Sequence, residues 1–130
     1  MSAHQARSLY LALIWLFVAC LVVQAFLVGL DIFGDEIDPT THRTWAYIYG
    51  WLTPILVFLA AVGRLPLTMR LGSVALLFLF AVQTLLPSLR EVLPPVAAAH
   101  ALNALLIFWL AMVLARRARD AAGSQPPLGV

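Results

Sequence analysis

Four long apolar stretches, at about Leu9–Leu30, Trp45–Val62, Leu71–Leu89 and Val96–Ala115, leave this chain few ways to fold. Crossing about 30 Å of hydrocarbon takes about 20 helical residues at 1.5 Å each, and every stretch comes close to that length. Hydrocarbon offers no hydrogen-bond partners, so a spanning backbone must pair with itself, as a helix or a closed barrel. Barrel strands would alternate apolar and polar residues with period two, and these stretches do not. Only 11% of the 130 residues are charged while 63% are hydrophobic, too little polar surface to cover a water-soluble particle. The expected fold class is an all-α membrane protein, a four-transmembrane-helix antiparallel bundle whose solvent is the lipid bilayer.

The connections are short, which favours up-down-up-down neighbours. The sequence reads as one membrane domain over 1–119, with helices at about 9–30, 44–63, 71–90 and 95–116, and a disordered tail over 120–130. The first turn, Asp31–Thr41, is acidic, and Asp38, Thr40 and Thr41 are all candidate N-caps for the second helix. Gly63 is expected to stop that helix, and Arg64-Leu65-Pro66 to bar its continuation. Pro94-Pro95 should open the fourth, where a missing N–H is harmless. Pro54 and Pro87 fall inside the second and third helices and should kink them.

Arginine sets the expected orientation. Arg7, Arg64, Arg70, Arg116, Arg117 and Arg119 fall at one set of helix ends, and only Arg43 and Arg90 at the other. Positive residues stay inside, so both termini are expected in the cytoplasm of a bacterium, with the chain in its cytoplasmic membrane. The basic balance, pI near 9.2, then reflects topology and not a nucleic-acid surface. Arg7 and the run after it imitate a signal peptide, but the run is long and lacks a small-x-small cleavage site, so an uncleaved helix is expected. The lone Cys20 can form no internal disulfide.

Within this frame the sequence repeats itself. Val23-Gln24 matches Val82-Gln83, and Leu27 and Leu30 match Leu86 and Leu89. After one residue of slippage in the turn, His42 matches His100, and Trp51-Leu52 match Trp109-Leu110. A pseudo-twofold repeat of two-helix units brings both imidazoles to one membrane surface, facing each other.

His100 lies about one and a half turns inside the fourth helix, among Ala97, Ala98, Ala99 and Ala101. Small neighbours clear room for a flat macrocycle, and an ionisable side chain at that depth is a functional candidate. The plainer alternative is a neutral ring bonded to a neighbouring helix, with alanines there for packing. His42 opens the second helix beside two threonines, and gains weight from its match. Two imidazoles on helices two and four fit axial ligation of one iron, which points to a b-type haem. Gln24 and Gln83 sit near the same depth and could orient those rings, or bond each other as interhelical glue. Arg43 and Arg90 are the outer-side cations that could meet haem propionates, the alternative being headgroups or nearby carboxylates. His4 has no partner, and Trp51 and Trp109 belong to the lipid face. No phosphate loop, zinc spacing, nucleophile elbow or intramembrane acid pair occurs.

The four-span layout, with a histidine opening the second and fourth helices, resembles the bundle halves of haem A synthases and small di-histidine membrane cytochromes. The segment Val23–Leu30, His42-Arg43, Gly63-Arg64-Leu65-Pro66 and His100–Trp109 look like an uncharacterised family of small bacterial four-helix membrane proteins carrying a domain of unknown function, over most of Leu9–Arg117. Haem A synthases carry further histidines and a carboxylate in their catalytic half, which have no counterpart here. The resemblance therefore implies electron transfer or haem handling by His42 and His100, not oxygenase chemistry. The other class of reading is a cofactor-free accessory or scaffold subunit, whose polar pairs hold helices in register. Either role suits a homodimer or a larger membrane complex.

Overall fold

Four helices long and apolar enough to span a membrane account for the architecture, as the apolar stretches require. The computed structural model describes residues 1–34, 38 and 40–123. The first span is α1, Ala3–Phe33, and the second is two consecutive helices, α2 (Thr41–Gly50) and α3 (Leu52–Val62). The third is α4 (Leu67–Leu85), closed by a 3-10 turn at Leu86–Leu89, and the fourth is α5 (Pro94–Gly123). α1 packs against α3 and α5, and α4 packs against the same two, which makes a square ring. A twofold operation exchanging α1 with α4 and α3 with α5 maps this ring onto itself, as the repeat requires.

The helices outrun the stretches that announce them. α1 starts at Ala3 and not near Leu9, because Ser2 and Gln5 form a capping box: Ser2 Oγ accepts the Gln5 N–H at 3.2 Å, and Gln5 Oε1 accepts the Ser2 N–H at 2.8 Å. Its 31 residues reach about 46 Å, well beyond the hydrocarbon. α5 continues through Gly123, so residues 120–123 of the expected disordered tail are helical, and the remainder, 124–130, lies outside the described residues. Pro94-Pro95 opens α5 as its missing N–H allows.

Both interior prolines break their helices, by an identifiable route. Proline cannot donate to the carbonyl four residues back, so that oxygen needs another donor. At Pro54 the freed carbonyl is that of Gly50, and the Thr53 hydroxyl donates to it at 2.9 Å. The span breaks there, at Trp51, between α2 and α3. Gly50 is also a site of close approach: a Cβ there would come within 2.5 Å of the Phe80 ring, which would have to shift. In the turn between α3 and α4 the helix ends with Gly63 as its C-cap, the stop expected of it, but not through a left-handed glycine. Gly63 keeps a helical φ of −70°, and Arg64 takes the left-handed conformation at φ 50°. Gly63 is instead a site of close approach, since its carbonyl accepts the Arg7 Nε–H at 2.7 Å and a Cβ would meet Arg7 Cγ at 3.3 Å.

The packed core lies toward the end that carries the termini. Ala6, Tyr10, Ile14 and Phe17 of α1 are fully buried against Leu56 and Ala60 of α3, Leu76 of α4 and Ala111, Leu114 and Ala115 of α5. One polar link crosses it. The Ser73 hydroxyl gives its proton to the Met69 carbonyl at 2.9 Å, so the Tyr10 hydroxyl donates to Ser73 Oγ, also at 2.9 Å. Large apolar side chains such as Phe26, Phe58, Phe78, Trp51 and Trp109 point outward, as lipid permits. Toward the opposite end the helices part, and the interior there is a cavity.

Candidate functional site

The cavity has a volume of about 640 Å³, within the range of small-ligand pockets. The repeat builds it. On α1 and the third span, Leu21 pairs with Phe80, Gln24 with Gln83, Ala25 with Thr84 and Val28 with Pro87. On α2 and α5, His42 pairs with His100, Arg43 with Ala101, Ala46 with Ala104, Tyr47 with Leu105 and Tyr49 with Ile107. Only Val22 and Phe108 of its lining fall outside these matched pairs. A chamber lined this way lies on the pseudo-twofold axis. Its walls are mostly apolar, and its base is aromatic: Tyr49 and Phe80 meet edge to face at 5.5 Å, each also against Phe17.

A second match was not visible from sequence. The Trp45 Nε1–H donates to the Cys20 carbonyl at 3.2 Å, and Asn103 Nδ2 donates to the Leu79 carbonyl at 2.9 Å. Trp45 lies three residues after His42 and Cys20 four before Gln24, as Asn103 does after His100 and Leu79 before Gln83. The same interhelical bond is therefore made in both halves by different chemistry.

In the second half no buried side-chain polar atom among the described residues lacks a partner, and the polarity of the hydrogen-bonded chain follows from its two ends. The Leu79 carbonyl can only accept, so the Asn103 amide nitrogen faces it. The other N–H of that nitrogen donates to Gln83 Oε1 at 2.7 Å, which turns Gln83 Nε2 toward His100 Nε2 at 3.1 Å. His100 Nε2 must then accept, and Nδ1 carries the proton, which it donates to the Gln83 carbonyl at 3.0 Å. That carbonyl is free because the residue four positions on is Pro87.

The first half is left open. Gln24 Oε1 is buried with no hydrogen-bond partner among the described residues, and so is His42 Nδ1. Asp31 Oδ2 lies 3.4 Å from His42 Nδ1, close enough for charge attraction but not aligned for a hydrogen bond. Val28 stands where the other half has Pro87, so α1 continues and the Gln24 carbonyl keeps a donor in the helix. In the adjoining loop the Thr40 N–H donates to Asp38 Oδ1 at 2.9 Å and holds that carboxyl below its usual range. Asp38 thus supports the start of α2 from three residues before Thr41, while the Thr40 side chain makes no capping bond to the helix.

Of the residues singled out from sequence, His42, His100, Gln24, Gln83 and Arg43 line this one chamber. Arg90 does not; it is exposed on the turn after the 3-10 segment. Asn103 and Asp31 are residues that sequence reasoning left without roles, and Pro87 was read only as a kink. A proline four places after a glutamine, and an asparagine three after a histidine, were the available signals. Among the described residues no three His, Cys, Asp or Glu side chains converge as a metal-binding group.

Residues 24–89 match a family of unknown function (DUF6220), a stretch that holds Gln24, His42, Gln83 and Pro87 and ends before His100. No curated protein and no solved structure matches the chain.

Proposed function

We propose, from the premise that the chain belongs to this family of unknown function (DUF6220), that it is a membrane-embedded binding protein whose chamber takes a b-type haem for electron transfer or haem handling. The observation that carries the reading is that His42 and His100, equivalent in the repeat, line a single cavity on its axis. Two imidazoles are too few to hold a bare metal ion, so the metal has to bring its equatorial ligands with it, as a porphyrin does. His42 and His100 would hold the group, which would supply one-electron chemistry.

The residues fit. His100 Nδ1–H is tied to a backbone carbonyl, the usual way a protein orients a ligating histidine with Nε2 toward the metal. Gln83 has to release one neutral bond at Nε2, worth about 1 kcal/mol, for that lone pair to serve. Arg43 at the rim would hold a propionate, and Gln24 Oε1, which makes no hydrogen bond among the described residues, would be available to accept the His42 ring N–H. With the termini cytoplasmic, as the arginines suggest, the chamber lies near the outer surface of the bacterial membrane. Electron transfer needs a partner, which a homodimer or larger membrane complex would provide.

A visible spectrum of the purified protein, with and without dithionite, tests this. A Soret band that sharpens on reduction is expected, and is lost in His42→Ala and in His100→Ala. Absence of any Soret band after expression with added haem refutes it. One observation favours a second reading: Gln83 already occupies His100 Nε2, as it would in a cofactor-free accessory subunit where the Asn103–Gln83–His100 chain joins helices. A colourless protein destabilised by His100→Ala is the outcome that reading expects.

A further inference from the structure

We infer that Pro87 is a positioning residue for the chamber, acting through His100 by withholding a backbone N–H. It rests on the reading of the cavity as a binding site only for what the His100 lone pair would be used for.

In an unbroken helix the Gln83 carbonyl would already accept from residue 87, and a ring nitrogen from another helix would have to share it, as Asn103 shares the Leu79 carbonyl. Proline has no N–H, and the third span tightens into a 3-10 turn at Leu86–Leu89 instead. The released Gln83 carbonyl receives His100 Nδ1–H at 3.0 Å. An imidazole with its proton fixed on Nδ1 has its lone pair on Nε2, beside the Gln83 amide in the chamber wall. That wall therefore offers an acceptor, suited to a Lewis-acidic metal centre or to a ligand N–H or O–H.

Pro54 separates this effect from bending. It breaks the second span as Pro87 ends the third, but its released carbonyl is taken by Thr53 on the same span, with no histidine involved. A kink at Pro54 therefore leaves His100 alone. What distinguishes Pro87 is which carbonyl it frees.

The test is the protonation pattern of His100 in the full-length, haem-free protein in micelles, read by nitrogen-15 NMR of its ring. The wild type is expected to show a protonated Nδ1 and a bare Nε2, with Nδ1–H hydrogen-bonded to the Gln83 carbonyl. In Pro87→Ala the new N–H competes for that carbonyl, and the Nε2–H form should rise about fivefold, the factor one ordinary hydrogen bond is worth. Pro54→Ala should leave the ring signals where they are. The inference is overturned by a wild-type ring protonated on Nε2, by a folded Pro87→Ala with the wild-type pattern, or by an equal change in Pro54→Ala. The wild-type measurement decides even if Pro87→Ala does not fold. None of these signals depends on haem, so a colourless protein would sink the haem proposal and leave this one standing.

Discussion

His100 has both ring nitrogens engaged, while its counterpart His42 has a buried Nδ1 that makes no hydrogen bond among the described residues. The two sit on equivalent helices, each opposite a glutamine and three residues before the side chain that ties its helix to the neighbouring span. One plan has thus been finished in one half and left open in the other. Position 87 accounts for much of the difference. Pro87 frees a carbonyl for His100, whereas Val28 keeps its own N–H and the Gln24 carbonyl stays in the helix. The rest comes from Asn103, which braces Gln83 with a second N–H that the indole of Trp45 does not have. In an apolar interior an open polar pair is a liability unless something fills it, so the open half is where a ligand stands to gain most.

The sharpest way to break this comparison is to put a proline into the first half. Val28→Pro should lower stability by about 3 kcal/mol, the interior-helix value, because no imidazole stands ready for the Gln24 carbonyl. Unfolding in mixed micelles measures it, and an unchanged midpoint would mean that the first half can close as the second does. Next comes His100→Ala, expected to lose about 2–3 kcal/mol by stranding the Gln83 carbonyl and amide. His42→Ala in the same haem-free assay should lose less than about 1 kcal/mol, its Asp31 contact being a loose, partly exposed pair. Equal losses for the two histidines would erase the asymmetry. Asn103→Leu should cost about 1–2 kcal/mol and Trp45→Phe about half that, since the asparagine holds two acceptors and the indole one. The smallest effect concerns Asp38. Its carboxyl is held below the usual value in the folded protein, so its support for α2 is present above that value and fades as pH falls through the lowered one. Asp38→Ala should fray the start of α2 slightly in hydrogen exchange and remove that acid sensitivity.

Much of this was written in the sequence, for reasons that also explain what was not. Lipid thickness dictates the length of an apolar run, so four spans could be counted, but it says nothing of where a helix ends. The Ser2–Gln5 capping box starts α1 six residues earlier than the apolar stretch, and α5 runs past Arg119. The repeat identified the residues that correspond, and Gln24, Gln83, His42, His100 and Arg43 do share a cavity. It could not say which of them bond, because correspondence is silent on local backbone donors. Two prolines looked alike as kinks, yet one carbonyl went to Thr53 and the other to His100. Arg90 was read as the second outer cation by its place in the chain, but it lies on the turn leading to α5, outside the chamber.

The bond made by Trp45 and again by Asn103 reaches beyond the present molecule. A tie made by an indole in one half and by an amide in the other is what tandem copying of a single helix pair would leave. Such an ancestor could have enclosed a chamber of this kind only by meeting its own twin, with two identical walls. Fusion of the copies released each wall to change by itself, and a proline acquired or lost on one side would be the kind of step that turned a symmetric vessel into one with a fixed side and a receptive side.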